Sequence, residues 1–168
     1  MKRLAILAAT MAVLSVTDSV LAAVVSDFAP KGTTLYAMAS AEPSDTTTTN
    51  STDFVDIAGL STVINIPKHK TAELIINFSG EVNSCDVMFV RATVDGAAAA
   101  PSDTQLQYRI GQNLGAESLS FTFFAQNVNP GSHTVAMQWH GGSNCGSQFM
   151  AARSMIVTAN VHRPPTQR

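Results

Sequence analysis

The sequence predicts an all-β fold: an antiparallel β-sandwich with jelly-roll or Greek-key topology and one intrachain disulfide. Apolar and polar side chains alternate over several short segments, and turn-forming residues separate these segments. No stretch of about 12 residues in the predicted mature chain shows helical periodicity. With 168 residues, 45% of them hydrophobic, the chain can build one core, and we expect about seven to ten short strands.

The first 22 residues have the three-part pattern of a secretory signal peptide. Lys2 and Arg3 form a basic start, residues 4–16 are apolar, and Ala22 offers a small residue at the cleavage position. The apolar run is shorter than the roughly 20 residues of a membrane-spanning helix. We therefore expect a secreted protein (extracellular, cell-surface or periplasmic) whose mature chain has no membrane span. An uncleaved membrane anchor is the alternative.

The charge of the chain argues against one class of partner. Charged residues make up 13% of the sequence, and the formal net charge of −2 becomes −3 when residues 1–22 are removed. A protein with this balance has no positive field that would concentrate nucleic acid at its surface. We therefore expect no nucleic-acid partner.

Two cysteines, Cys85 and Cys145, are present, and each lies in a turn-like segment. In an oxidising compartment an even pair usually forms a disulfide, so we expect a Cys85–Cys145 bond that ties two loops together. An intermolecular bridge and a redox pair are the alternatives. No Cys-x-x-Cys spacing supports redox chemistry.

Residues 23–52 are predicted to form an N-terminal arm and a polar, Thr-rich linker. Residues 24–28 and 33–39 have strand character, whereas residues 40–52 contain almost no apolar side chain. The arm either adds a strand to a neighbouring subunit or folds back as the first strands of its own sheet. The sandwich is then expected over residues 53–163, followed by a flexible tail at 164–168.

Within the predicted sandwich, a period of two marks the strands. Trp139 is in phase with Val135 and Met137, so we expect it in the core. The Asn-Pro-Gly sequence at residues 129–131 stands between two alternating segments and predicts a hairpin. The clearest predicted strands cover residues 62–66, 73–79, 87–94, 118–123, 134–139 and 153–161.

Residues 118–161 resemble the closing strands of secreted bacterial jelly-roll domains. The similarity rests on the Pro-Gly turn, the alternating strand that ends at Trp139, and the strand that begins at Arg153. Such domains are similar in outline to the C1q/TNF-like heads of trimeric extracellular and phage-tail proteins, and residues 54–67 add weaker similarity. The resemblance implies trimeric assembly, although no Gly-x-y repeat precedes this domain.

No catalytic, cofactor or metal site is expected from the motifs. The sequence contains no Gly-x-Ser-x-Gly, His-Glu-x-x-His, or phosphate-binding Gly-rich motif. The histidines lie in or beside predicted turns without metal-ligand spacing, and solvated loop histidines are the simpler explanation. The histidines are His69, His133, His140 and His162.

Two kinds of ligand site stay open as alternatives. A loop calcium site would use carboxylate oxygens, although no Asp-x-Asp-x-Asp-Gly pattern is present. A sugar site would need exposed aromatic rings, for which Tyr108, Arg109 and His140 are weak candidates. The carboxylates considered for calcium are Asp53, Asp56, Glu81 and Asp86.

Together these features indicate a secreted, non-catalytic β-sandwich module with a structural, adhesion or protein-interaction role. Its expected partner is a second copy of the chain or another extracellular protein. A carbohydrate-binding, lectin-like module with a glycan ligand is the alternative. A pilin-like, strand-exchanging subunit is the third interpretation.

Overall fold

The computed structural model describes residues 34–42, 44–84, 86–108, 115–142 and 146–162. All regular secondary-structure elements among these residues are β-strands. The strands are β1 (Thr34–Ala41), β2 (Thr47–Thr49), β3 (Val55–Ile66), β4 (Thr71–Asn83), β5 (Val87–Val94), β6 (Ala97–Ala98), β7 (Thr104–Tyr108), β8 (Glu117–Val128), β9 (Gly131–Gly141) and β10 (Gln148–His162).

The strands form two five-stranded antiparallel sheets. Sheet A has the order β1-β10-β4-β8, with β2 also paired to β10. Sheet B has the order β3-β9-β5-β6, with β7 also paired to β5. Pairing is nested along the chain, because β1 pairs with β10, β3 with β9, β4 with β8, and β5 with β7. One long antiparallel hairpin rolled across two sheets has this order, so the predicted sandwich is confirmed with jelly-roll connections.

The core lies between the sheets and is built by the alternation seen in the sequence. In β4, for example, Leu74, Ile76 and Phe78 are buried while the residues between them are more exposed. Trp139 on β9 is buried as predicted and is the largest fully buried side chain of the described residues. Burying a large apolar side chain stabilises the fold by about 1.5–3 kcal/mol, and Phe123 on β8 adds a third buried aromatic ring to those of Trp139 and Phe78.

Residues 34–42 and 44–49 include strands of this sandwich. β1 pairs with β10 along its whole length, and Ala37 and Ala39 enter the core. Within the Thr-rich segment, Thr47–Thr49 also pairs with β10, since threonine suits an extended backbone even without apolar bulk. The predicted arm and linker at 23–52 therefore include strands of the chain's own sheet. The predicted signal peptide, the strand at 24–28 and the tail at 164–168 lie outside the described residues.

The predicted hairpin at residues 129–131 is wrong. The segment does reverse the chain, but β8 pairs with β4 in sheet A whereas β9 pairs with β3 and β5 in sheet B. The turn therefore carries the chain from one sheet to the other. A tight hairpin occurs instead between β5 and β6, where Asp95 and Gly96 both have positive φ, as a type I′ turn requires.

Candidate functional site

The outer face of sheet A carries large apolar side chains on four adjacent strands, and the register sets Phe124 on β8 opposite Ile75 on β4. Tyr36 and Met38 on β1 are 44% and 38% exposed, and Ile156 on β10 is 40% exposed. Ile75 on β4 is half-buried on the same face. The register sets Met38 opposite Ile156, while Thr158 lies between Tyr36 and Ile75 in the next row. We call Tyr36, Met38, Ile75 and Ile156 the apolar belt.

The surroundings of the apolar belt are polar but carry little charge. Asn77 on β4 accepts a hydrogen bond at 2.8 Å from the hydroxyl of Thr122 on β8. Among β1, β4, β8 and β10 the single lysine or arginine is Arg153, which is buried. Glu73 and Glu81 supply carboxylates towards the two ends of β4. The belt is therefore suited to an apolar contact and offers no cation to an acidic partner.

The outer face of sheet B carries an aromatic cluster next to its polar side chains. His140 on β9 stacks on Phe89 of β5, with ring centroids 4.7 Å apart. Phe54, just before β3, meets His140 edge-on at 4.5 Å, and the Arg91 guanidinium lies 4.0 Å from the centre of the Phe54 ring. These rings face one another or the arginine. His140, a weak sugar-site candidate from the sequence, therefore has its ring in contact with two protein rings.

A row of hydrogen-bonded polar side chains lies beside these rings and runs across β5, β9 and β3. Arg91 donates from Nε to the Gln138 side-chain oxygen at 2.8 Å, and the Gln138 amide donates to Asp56 Oδ1 at 2.8 Å. The register places the three residues directly opposite one another on β5, β9 and β3. The cluster fastens the beginning of β3 to the sheet, which is a structural role.

A cleft opens at one side of the sandwich, between the Ala97–Ala100 segment and the end of β8. We call it the side cleft. Its volume is about 460 Å³, within the roughly 300–1,000 Å³ of small-molecule sites. Phe124, 48% exposed, forms part of one wall. The side cleft is lined by Val94, Asp95, Ala97–Ala100, Phe124–Asn129 and His133.

His133 joins the two loops beside the side cleft. Its Nδ1 lies 2.7 Å from Asp95 Oδ2, and its Nε2 lies 2.8 Å from the carbonyl oxygen of Asn129. The Thr134 N–H donates to the other Asp95 oxygen at 2.8 Å. Hydrogen bonds from His133 and from the Thr134 backbone hold the pKa of Asp95 below its ordinary value.

Several candidate residues named from the sequence lie apart from one another or outside the described residues. Cys85, Cys145 and Arg109 are not among the described residues, so the disulfide stays a prediction. Tyr108 ends β7, where its backbone pairs with Val87. In the described part of the chain, no three His, Cys, Asp or Glu residues are grouped so that they could hold a metal ion. No helix in that part is long and apolar enough to cross a membrane.

Neither the exposure of Phe124 nor the pairing of His133 with Asp95 was predicted from the sequence. His133 is predicted in or beside a turn, but Asp95 is distant from it in sequence, and the two residues meet only through strand pairing. Phe124 directly follows the buried Phe123, so the pair of aromatic residues gives Phe124 no separate signal. An aromatic residue on the polar phase of a strand is the sequence feature that could have marked it.

No family model matches the sequence, and no curated protein matches it. Among solved structures, the chain superposes on that of infectious bursal disease virus Gx strain with a TM-score of 0.45 and 16% identity, covering 74% of this chain and 32% of that one. The tripod (BppUct-A-L) from the baseplate of bacteriophage Tuc2009 superposes with a TM-score of 0.39 and 17% identity, covering 98% of this chain and 83% of that one. A family 35 carbohydrate binding module from Clostridium thermocellum superposes with a TM-score of 0.34 and 12% identity, covering 70% of this chain and 96% of that one.

The chain thus spans about a third of the length of the first of these structures. At these similarities the fold assignment rests on the strand order of the protein itself. The jelly-roll part of the expected resemblance agrees with that order, while the C1q/TNF-like relation stays a prediction. The chain is a jelly-roll β-sandwich with an apolar belt on one face and a cleft at its side.

Proposed function

We propose that the protein is a secreted, non-catalytic structural module that self-associates through the apolar belt of sheet A. The observation that carries the proposal is the belt itself: four large apolar side chains that stand together on an outer sheet face. Exposed apolar clusters of this kind mark interaction surfaces, because burying them releases the free energy of apolar hydration.

A second copy of the chain fits the chemistry of this face. Its outward positions are apolar or uncharged, apart from Glu73 and Glu81, so two copies can approach with little like-charge repulsion. Two sheets of equal twist pack face to face with their strands about 30° apart, which brings apolar rows into contact. An acidic partner would find no lysine or arginine on β1, β4, β8 and β10 except buried Arg153.

A non-catalytic role is supported by sheet B, where polar side chains on the outer face bond to or stack on other side chains of the protein. Arg91, Gln138 and Asp56 bond to one another in one row across sheet B. His140 is held between Phe54 and Phe89. These contacts hold strands together and leave the side chains committed to structural partners.

The test is the mass of the mature protein, starting at Ala23, in size-exclusion chromatography with light scattering over a range of concentrations. We expect an oligomer that the variant Ile156→Lys dissociates to monomers, because a buried unpaired ammonium opposes assembly. The matched control is Val63→Lys, which adds the same charge at a 41% exposed position on β3 of sheet B and should leave the mass unchanged.

Two results would overturn the proposal. One is a monomer at every concentration. The other is an oligomer whose mass is the same for Ile156→Lys as for the unchanged protein, which would place the contact elsewhere. Circular dichroism of both lysine variants verifies that the fold is retained.

A further inference from the structure

The side cleft has the geometry of a preformed binding site. Backbone hydrogen bonds fix its walls, since Ala100 N donates to Phe124 O at 2.8 Å and Phe124 N donates to Ala100 O at 2.7 Å. His133 connects the Asp95 turn to Asn129 on the far side. A site that is ordered before binding loses little conformational entropy when a ligand enters.

The lining of the side cleft is apolar on one side and amide-rich on the other. Ala97, Ala98 and Ala100 present small exposed side chains, and Phe124 beside them is about half exposed. Gln126, Asn127 and Asn129 contribute exposed side-chain amides, each of which can both donate and accept hydrogen bonds. The combination suits a ligand with an apolar face and several hydroxyl or amide groups.

The charge of the side cleft narrows the ligand class. None of its lining residues is a lysine or arginine, so an anionic ligand would meet no fixed cation. The single carboxylate, Asp95, already accepts hydrogen bonds from the Thr134 N–H on one oxygen and contacts His133 with the other. The lining therefore favours a neutral ligand.

We propose that the side cleft binds a neutral saccharide unit, with a sugar ring stacked on Phe124 and its hydroxyls hydrogen-bonded to the amides of Gln126, Asn127 and Asn129. This goes beyond self-association. The residues named for it are not those of the apolar belt, although Phe124 lies opposite Ile75 of the belt in the strand register. The alanine segment leaves room for the ring, and His133 acts as a positioning residue that holds the two walls together.

The first measurement is binding of the mature protein to an array of neutral oligosaccharides of hexoses and N-acetylhexosamines, printed beside sialylated and sulfated ones. We expect retention on neutral glycans. Titration calorimetry with the best-retained neutral glycan should then show that Phe124→Ala weakens binding roughly tenfold or more, whereas Phe124→Tyr keeps it. Val63→Ala on sheet B is the control that should bind unchanged.

A second measurement uses the unchanged protein and so does not depend on the folding of a variant. On addition of the same glycan, we expect chemical-shift changes at the Ala97–Ala100 methyls and at the amides of Asn127 and Asn129. The mass of Phe124→Ala, measured in parallel, separates lost sugar binding from lost assembly. An array without retention on neutral glycans, retention on anionic glycans alone, unchanged affinity of Phe124→Ala, or shifts confined to the apolar belt would each overturn the proposal.

Discussion

At the scale of single residues, His133 shows how a side chain can join loops from distant parts of the chain. Both of its ring nitrogens face oxygen acceptors, on Asp95 and on Asn129. The ring can donate to both oxygens only when both nitrogens carry hydrogen. Because the contact depends on how β5 pairs with β9, sequence alone could not predict it, whereas the burial of Trp139 followed directly from alternation within one strand.

Asp95 makes stability depend on pH in a defined direction. Since its pKa is lowered in the folded protein, its ionised form stabilises the fold above the unfolded pKa of about 3.9, and this contribution is lost as pH falls through the lower folded value. Asp95→Asn, which tolerates the positive φ at this position, should cost on the order of 1 kcal/mol or less at pH 6.

The measurement for Asp95 is urea unfolding at pH 6 and at the lowest pH where the protein stays folded. The difference in unfolding free energy between the unchanged protein and Asp95→Asn should shrink on acidification. Asp103→Asn, at an exposed loop position, is the control and should show no such change. A difference of equal size at both pH values would contradict the assignment.

At the scale of elements, the sequence predicts strands better than it predicts their partners. The predicted strand at residues 87–94 coincides with β5, because an apolar and polar alternation is a property of the segment itself. The partner of a strand is not local. Residues 129–131 contain turn-forming residues and reverse the chain. The strands on either side nevertheless belong to different sheets, since β8 pairs with β4 and β9 pairs with β5. The Thr-rich segment is a similar case, since β2 is held by pairing with β10.

Arg153 connects three elements and is the buried cation of the core region. It is 6% exposed and donates from Nε to Ala58 O at 2.8 Å, and from Nη1 to Ala151 O at 2.9 Å and to Asp45 O. Burial lowers the pKa of its guanidinium, while the charge of Asp45 opposes that change. β10 is thereby tied to β3 and to the turn before β2.

Arg153→Met should lower the free energy of unfolding by about 2–4 kcal/mol, because the substitution removes three hydrogen bonds made by a buried guanidinium and leaves the carbonyl of buried Ala151 without this donor. The matched control is Arg91→Met on the half-buried outer face of sheet B, where the same change removes one side-chain hydrogen bond and a cation–π contact and should cost about 1 kcal/mol. Chemical unfolding of both variants gives the comparison. Equal losses would show that the carbonyl contacts of buried Arg153 are not what stabilises β10.

At the scale of the whole molecule, the jelly-roll order brings together the described residues that flank the two cysteines. The Gly142 N–H donates to the carbonyl of Val87 at 2.9 Å, and Gly141 pairs with Met88. On the same side, the buried Ser84 hydroxyl donates to the side-chain oxygen of Gln148. Described segments that precede or follow the two cysteines in sequence are thus adjacent, and the Cys85–Cys145 bond stays a prediction from the sequence.

We therefore expect the mature oxidised protein to be lighter than its reduced form by two hydrogens and to have no free thiol. Closing a loop of about 60 residues restricts the unfolded chain, so the double variant Cys85→Ser, Cys145→Ser should lose about 2–4 kcal/mol of stability. Reductant should lower the unfolding midpoint of the unchanged protein and leave that of the double variant where it is. Free thiols in the unreduced protein, or an unfolding midpoint that does not change with reductant, would refute the bond. Strand pairing and core packing would then stabilise the sandwich without a covalent cross-link.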